Sequence, residues 1–413
     1  MSGPGASSRI PGVDALRVAT AAGRVRSAPT PIRAMATTAS LASVALAAAP
    51  ALPAADVADG RDALVARLMR STAGVFDMFT LYIGDQLGLY DALAAGGAQT
   101  SAELAARTGT QERYVREWLE QQAVTGVLEV ATPAADGTAR RYALPAAHVE
   151  ALTDTESLGF LPPLAQTLVG AVRPVRYVLE AFRGGGGVPY GAYGKEFREG
   201  QARANRGMFL HQLGQAWLPA VPDVHARLLA APAARVADLG CGAGWSSIGI
   251  ARCYPAVRVD GIDLDAPSIE LARANAQAHG VADRVRFAAA DARDARLAGR
   301  YDLVVALEAV HDMADPVGVL EAMRRLARPD GTVLVVDEHV GDVFGAAAEL
   351  EWMMYGWSVL HCLPVGLAEE GSVGTGAVMR PSTLRGYALE AGFHEVEVLP
   401  VEHAQFRFYR LHR

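Results

Sequence analysis

A histidine followed by an aspartate, His311-Asp312, stands just past an apolar run, Tyr301–Leu307, that reads as a β-strand. Histidine titrates near neutral pH, so at a strand end it suits the removal of a proton from a hydroxyl, phenol or ammonium group. Asp312 or Glu338 could orient its imidazole. Upstream, Asp238-Leu-Gly240-Cys-Gly242-Ala-Gly244 follows a shorter apolar run and opens a helical stretch. Glycines at such a turn let the backbone come close to a ligand. Asp263 comes 23 residues after Gly240 (263 − 240), at the end of the next run, and Asp291 follows the one after that. Acids there can accept hydrogen bonds from ribose hydroxyls and a base amino group. A helix cap accounts for any one of these acids, but three on successive strands point to a ligand. A dinucleotide fingerprint would need glycine at 245, where this chain has Trp245, which argues against a nicotinamide cofactor.

The elements that must hold these residues alternate from Arg235 onward. Strands are expected over 236–239, 257–262, 284–289, 301–307 and 332–337, with helices between them, the second capped by Asp265 and a later one opened by Asp315-Pro316. A helical insert, a helix from about Ser382 to Ala391 and two closing strands complete the chain. Repeated strand–helix units predict a parallel sheet with helices on both faces and a ligand beyond the strands' carboxyl ends.

Before this domain the chain divides into three parts. Residues 1–58 carry five arginines against two acids in Ala, Ser, Thr and Pro, and read as a disordered tail or a targeting segment. Residues 59–152 read as helix, turn, helix and a two-stranded wing, a winged-helix pattern. Between Gly96 and Leu152 there are five arginines and seven acids, so the would-be recognition helix lacks the positive face that phosphates require; dimerisation suits this module better. Residues 153–231 form a helical linker and lid, with a break at Gly184–Gly187 that lacks the following lysine and preceding strand of a phosphate loop. Tyr190 and Tyr193 just beyond it are candidates to line a pocket, as are Trp352, Tyr355 and His361 in the apolar insert. Residues 232–413 are the ligand-binding domain.

Composition narrows the function. A net charge of −7 over 413 residues speaks against a nucleic-acid coat. Three cysteines without a CxxC pair exclude a disulfide scaffold and a cysteine zinc finger, and point to a reducing, cytoplasmic setting. No apolar run is long enough for a membrane span. His311, Asp312, Glu338, His339 and His361 could gather at one sheet end, but with no HxxxH spacing no metal is expected.

The stretches VADLGCGAG, VDGIDLD, AAADARD, YDLVVALEAVHDM and LARPDG together resemble the class I S-adenosylmethionine-dependent methyltransferase domain. Preceded by a winged helix, they resemble small-molecule methyltransferases, including plant-type O-methyltransferases. The closing HCLPVG, RPSTLRGYALEAGF and FRFYRL are similar to a bacterial group of such enzymes. The resemblance covers residues 60–413. It implies an α/β, Rossmann-like sheet, mostly parallel with an antiparallel last strand. It implies that Gly240, Gly242 and Gly244 surround the methionine part of the cofactor and Asp238 orients its amino group. Asp263 with Leu264 would take the ribose, Asp291 with Ala292 the adenine, and Glu308 would face the pocket; Trp245 would shield the cofactor. His311 matches the general base of the plant-type His-Asp-Trp-x-Asp motif, with Met313 in place of tryptophan. The expected function is methyl transfer to oxygen or nitrogen of a small-molecule acceptor, in a homodimer. The alternative is a cofactor-sensing regulator that transfers nothing; it would call for a basic recognition face and no base.

Overall fold

The structure, a computed structural model, describes residues 57–294 and 301–413. The tail expected over 1–58 lies outside the described residues, apart from two residues that begin a helix at Val57. That helix, Val57–Gln86, is 30 residues long. Leu89–Gly96, Ser101–Thr108 and Glu112–Val124 follow, and then the wing, β1 (Glu129–Thr132) and β2 (Arg141–Ala143). Ser101–Thr108 starts where its ends can be satisfied: the Thr100 hydroxyl accepts from the Glu103 N–H, and the Glu103 carboxylate accepts from the Thr100 N–H. Leu89, Leu93, Leu104, Leu119 and Tyr142 form this module's core. Gln99 pairs with Tyr142 and adds a third edge to the wing.

Helices Pro162–Val172, Val175–Gly184 and Gly194–Met208 come next; the last continues into a wider π-helical stretch, Phe209–Trp217. Arg203 ties this layer to the N-terminal module through a bidentate ion pair with Asp85, 2.7 and 2.8 Å.

The main sheet holds β3 (Arg235–Leu239), β4 (Arg258–Asp263), β5 (Val285–Ala289), β6 (Tyr301–Leu307), β7 (Ala327–Glu338), β8 (Glu395–Val398) and β9 (Phe406–His412). Its order is β5-β4-β3-β6-β7-β9-β8. The first five strands run parallel; β9 is antiparallel to both β7 and β8. Because side chains alternate along a strand, Leu303, Val305 and Leu307 enter one hydrophobic layer while Val304 and Ala306 enter the other. β6 is buried on both faces, which is why its sequence is continuously apolar. Truncating a wholly buried leucine such as Leu239 would cost about 2–5 kcal/mol. The chain leaves β3 toward β4 and β5 on one side and returns to β6 on the other. That reversal opens a crevice at the carboxyl ends of β3 and β6. Among the described residues no helix is long and apolar enough to cross a membrane.

Candidate active site

A cavity of about 480 Å³ lies at this crevice. Its floor is the loop after β3, the ends of β4, β5 and β6, and Ala309 with Asp312–Asp315; its roof is the helix Gly194–Met208 with Tyr190, Val365, Ala368 and Glu369. Arg198, Gln201, Ala202 and Asn205 line it because they recur at three- and four-residue steps, on one face of that helix. None of these four was foreseen, since their polarity resembles that of a solvent-facing stripe.

The glycine loop is shaped by two different constraints. Gly242 has φ 50° and open space where a Cβ would stand. Gly244 has φ 80°, and a Cβ there would lie 2.6 Å from the Phe287 ring. The first position leaves room at the cavity wall, and the second lets the loop pack on β5. Asp263 ends β4 with one carboxylate oxygen accepting the Gly242 N–H and the other the Asp265 N–H, both at 2.8 Å. Burial pushes its pKa up. Asp291 stands after β5, where its bonds to Arg293 lower its pKa. Leu264 and Ala292 line the cavity beside them, as do Gly240 and Glu308. Trp245 also lines it, with the Arg206 guanidinium 5.1 Å from its ring.

Asp238 is placed otherwise than expected. It is 1% exposed, lies beneath the loop rather than on the cavity wall, and accepts from the Ser246 and Ser247 hydroxyls at 2.6 Å each. Its carboxylate braces the loop from below.

The histidine stands behind the cavity lining: His311 is buried, and its neighbours Ala309, Asp312 and Met313 border the cavity instead. His311 is on a short 3₁₀ turn, Val310–Asp312, after β6. Its Nδ1 lies 2.7 Å from Asp337 Oδ1, and its Nε2 lies 3.3 Å from Asp312 Oδ1 without hydrogen-bond geometry. The orienting carboxylate is therefore Asp337, not Glu338. Asp337 and Glu338 are adjacent on β7, where alternation decides which one meets the ring; of the two expected candidates, Asp312 lies on the Nε2 side and Glu338 makes no hydrogen bond to the ring. Burial alone would lower the His311 pKa, but Asp337 and Asp312 outweigh it and raise it well above the ordinary value. Glu338 and Glu308 are both buried beside this group; burial raises both pKa values, that of Glu308 to about 7. Glu308 also accepts from Asn205 Nδ2 at 2.7 Å and has φ 54°, a strained conformation for a residue with a side chain.

The expected acceptor residues divide. Tyr190 lines the cavity. Tyr193 is wholly buried behind it, donating its hydroxyl proton to the Leu360 carbonyl at 2.8 Å. His361 is buried, stacked on Phe197 at 3.8 Å between centroids, and burial lowers its pKa to about 4. Its Nδ1 lies 3.9 Å from Asp312 Oδ2. Trp352 and Tyr355 are not brought to the cavity. Trp352 is 67% exposed, and the Tyr355 hydroxyl accepts from Arg380 on the outer face. Their helix, Ala348–Trp357, turns Met354 inward instead, so an aromatic-rich helix was mistaken for a pocket wall.

Residues 231–372 match a family described as "Methyltransferase domain", and residues 77–154 one described as "Rv2258c-like winged HTH domain". The chain is an S-adenosylmethionine-dependent methyltransferase. It is 33% identical over 169 residues to a ubiquinone biosynthesis O-methyltransferase of Ralstonia nicotianae, a span covering 41% of this chain and 66% of that relative. A Burkholderia pseudomallei protein of the same description is 29% identical over 191 residues, covering 46% of this chain and 75% of the relative. A release factor glutamine methyltransferase of Chlorobaculum tepidum is 37% identical over only 94 residues, 22% of this chain and 32% of the relative. Two solved structures share the fold over nearly their whole length. One is the mitomycin 7-O-methyltransferase (TM-score 0.63, 21% identity, 86% of this chain, 99% of that one). The other is human N-acetylserotonin methyltransferase with S-adenosylmethionine (TM-score 0.60, 19% identity, 88% and 99%). The methyltransferase sheet and the winged-helix module thus correspond to the two parts read from the sequence.

The cofactor fits the cavity of this methyltransferase on its own terms. The space over Gly242, the acids ending β4 and β5, and the free volume between roof and floor suit an amino acid joined to a nucleoside.

Proposed function

We propose that this methyltransferase moves a methyl group to an oxygen or nitrogen of a small-molecule acceptor, with His311 as general base. S-adenosylmethionine supplies an electrophilic methyl group on a sulfonium. The loop of Gly240, Gly242 and Gly244 would border its methionine part, Asp263 would accept from the ribose hydroxyls and Asp291 from the adenine amino group, with Leu264, Ala292 and Glu308 beside them. The roof helix Gly194–Met208 limits water at the reacting end. An acceptor hydroxyl or ammonium loses its proton to His311 Nε2, while Asp337 holds the ring by Nδ1 and stabilises the imidazolium. Because both carboxylates raise the His311 pKa, the ring must first lose its own proton, and a more alkaline solution favours that. Tyr190 bounds the acceptor end, with His361 packed behind it. The carrying observation is the 2.7 Å bond from His311 to Asp337, directly behind the cavity-lining residue Asp312.

The domain limits 59–152, 153–231 and 232–413 belong to this reading, as do a cytoplasmic setting, consistent with three free cysteines, and a homodimer. The dimer is supported by the helix Val57–Gln86, where Leu64, Val65, Leu68, Met69, Val75 and Phe76 are 47–66% exposed. Nucleic acid is not a partner in this reading. On the helix Glu112–Val124 the arginines are already paired, Arg113 with Glu117 and Arg116 with Glu112.

The test is release of S-adenosylhomocysteine by purified protein given S-adenosylmethionine and fractions of a small-molecule extract, with wild type beside His311→Ala. Fraction-dependent release that falls about a hundredfold or more in the variant supports both transfer and base. Release untouched by the substitution removes the base. Tight cofactor binding without release from any fraction turns the reading toward the regulator.

A further inference from the structure

Beside the proposed base the fold assembles a group that the transfer reaction does not require. His311 Nε2, a carboxylate oxygen of Asp312 and Cys362 Sγ all lie within 4.8 Å of one another. Cys362 comes 50 residues after Asp312 (362 − 312), so no local spacing announces the trio. It arrives on the π-helical turn Ser358–Cys362, packed beside the turn that carries His311. A tetrahedral zinc-type ion, bonded at about 2.0–2.3 Å, needs its ligands roughly 3.3–3.8 Å apart. His311 Nε2 and Asp312 Oδ1 already stand at 3.3 Å, within that range.

Three further observations point to a cation. Asp337 holds His311 Nδ1 at 2.7 Å, the carboxylate-to-histidine support that fixes a ligating ring. Buried polar atoms around the trio lack hydrogen-bond partners, among them Asp312 Oδ1, Asp337 Oδ2 and His361 Nε2; His361 is 2% exposed. Finally, Glu308, Asp312, Asp337 and Glu338 gather here, and among the described residues no arginine or lysine forms an ion pair with any of them. Asp337 and Glu338 are buried and Glu308 and Asp312 half-buried, so the single imidazolium of His311 leaves negative charge that a bound cation would balance.

We propose that His311, Asp312 and Cys362 form a binding site for a divalent transition ion of the zinc, cobalt(II) or iron(II) kind. Imidazole and thiolate select such ions over magnesium or calcium, which take oxygen. Binding displaces the thiol proton, and the Nε2 proton where the ring carries one, to solvent. The bonds formed are metal–sulfur, metal–nitrogen and metal–oxygen. Carboxylate and thiolate then balance the two charges of the ion. In that state His311 Nε2 is a ligand and not a base, so metal and acceptor proton compete for one nitrogen. The inference concerns binding and stands whether or not His311 acts as the base.

The full-length protein, stripped with a chelator, is titrated with cobalt(II) and with zinc. The expected result is one ion retained per chain by elemental analysis. A near-ultraviolet thiolate-to-cobalt band should accompany it, vanishing in Cys362→Ser and persisting in Cys253→Ser. No retained ion, or an ion retained without the thiolate band, overturns the site. A band that survives Cys362→Ser also overturns it. Asp312→Asn provides a second variant that should lower affinity at least tenfold with the band intact. Cofactor binding by calorimetry checks the fold of each variant. S-adenosylhomocysteine release by the stripped protein reads the base assignment separately, since the metal result does not depend on turnover.

Discussion

The two walls of the cavity are built by different means. The wall proposed for the cofactor is a row of strand ends: Gly240–Gly244, Asp263 and Asp291 follow β3, β4 and β5, and each is placed by the few residues around it. The side proposed for the acceptor, with Asp312 and Tyr190 on the lining and His311 and His361 behind them, is assembled from afar. His311 needs Asp337 from the neighbouring strand, Glu308 needs Asn205 from the roof helix, and His361 packs against Phe197, Tyr190 and Tyr193. The proposed cofactor wall also spends its acids in ordinary bonds to N–H and arginine groups, whereas the acceptor side keeps buried carboxylates with no arginine partner among the described residues. A wall that must meet one fixed ligand can be local and settled. The wall that handles protons carries charge that a ligand must complete.

The sharpest way to break this contrast is at its two centres. His311→Ala should lower kcat by about 10²–10⁴-fold with cofactor affinity within about threefold, read by product release beside calorimetry. If cofactor binding falls equally, the walls are not separate. Asp263→Ala should do the opposite, weakening cofactor binding by about a hundredfold, as expected for losing one or two charged hydrogen bonds.

Acidity separates them further. Below the raised His311 pKa the rate should climb about tenfold per pH unit, with a midpoint above 6.5. Folding stability should move the other way. The ion pair with Asp337 contributes fully below the unfolded histidine value and is lost as pH rises through the folded one. A rate limb centred below 6.5 would contradict the Asp337 support. At the small end, Trp352→Ala should change kcat/KM less than about twofold, because its ring faces solvent. A larger loss would return that helix to the acceptor wall.

Most of the sheet was legible in the sequence, as was the convergence of the glycine turn, Asp263 and Asp291 at one cavity, because strand ends, glycine turns and helix caps are short-range features. The strand Tyr301–Leu307 stands where its residues say it should. Asp238 was legible as part of the loop but not as its brace, since nothing local says that Ser246 and Ser247 will turn back onto it. Trp352 and Tyr355 misled because a helix rich in large apolar residues has more than one face to offer, and only packing chooses.

The sequence by itself determined the sheet order of chemistry: glycines, then acid after acid, then a histidine, each delivered to the same end by the parallel run of the strands. Tertiary structure alone decided which carboxylate of the Asp337-Glu338 pair meets His311, which helix roofs the cavity, and that Cys362 joins His311 and Asp312. The physical reason is one of range. A strand's direction and a turn's shape are set by adjacent residues. Which of two neighbouring side chains meets a ring, or which distant thiol reaches it, depends on register and packing across the whole fold.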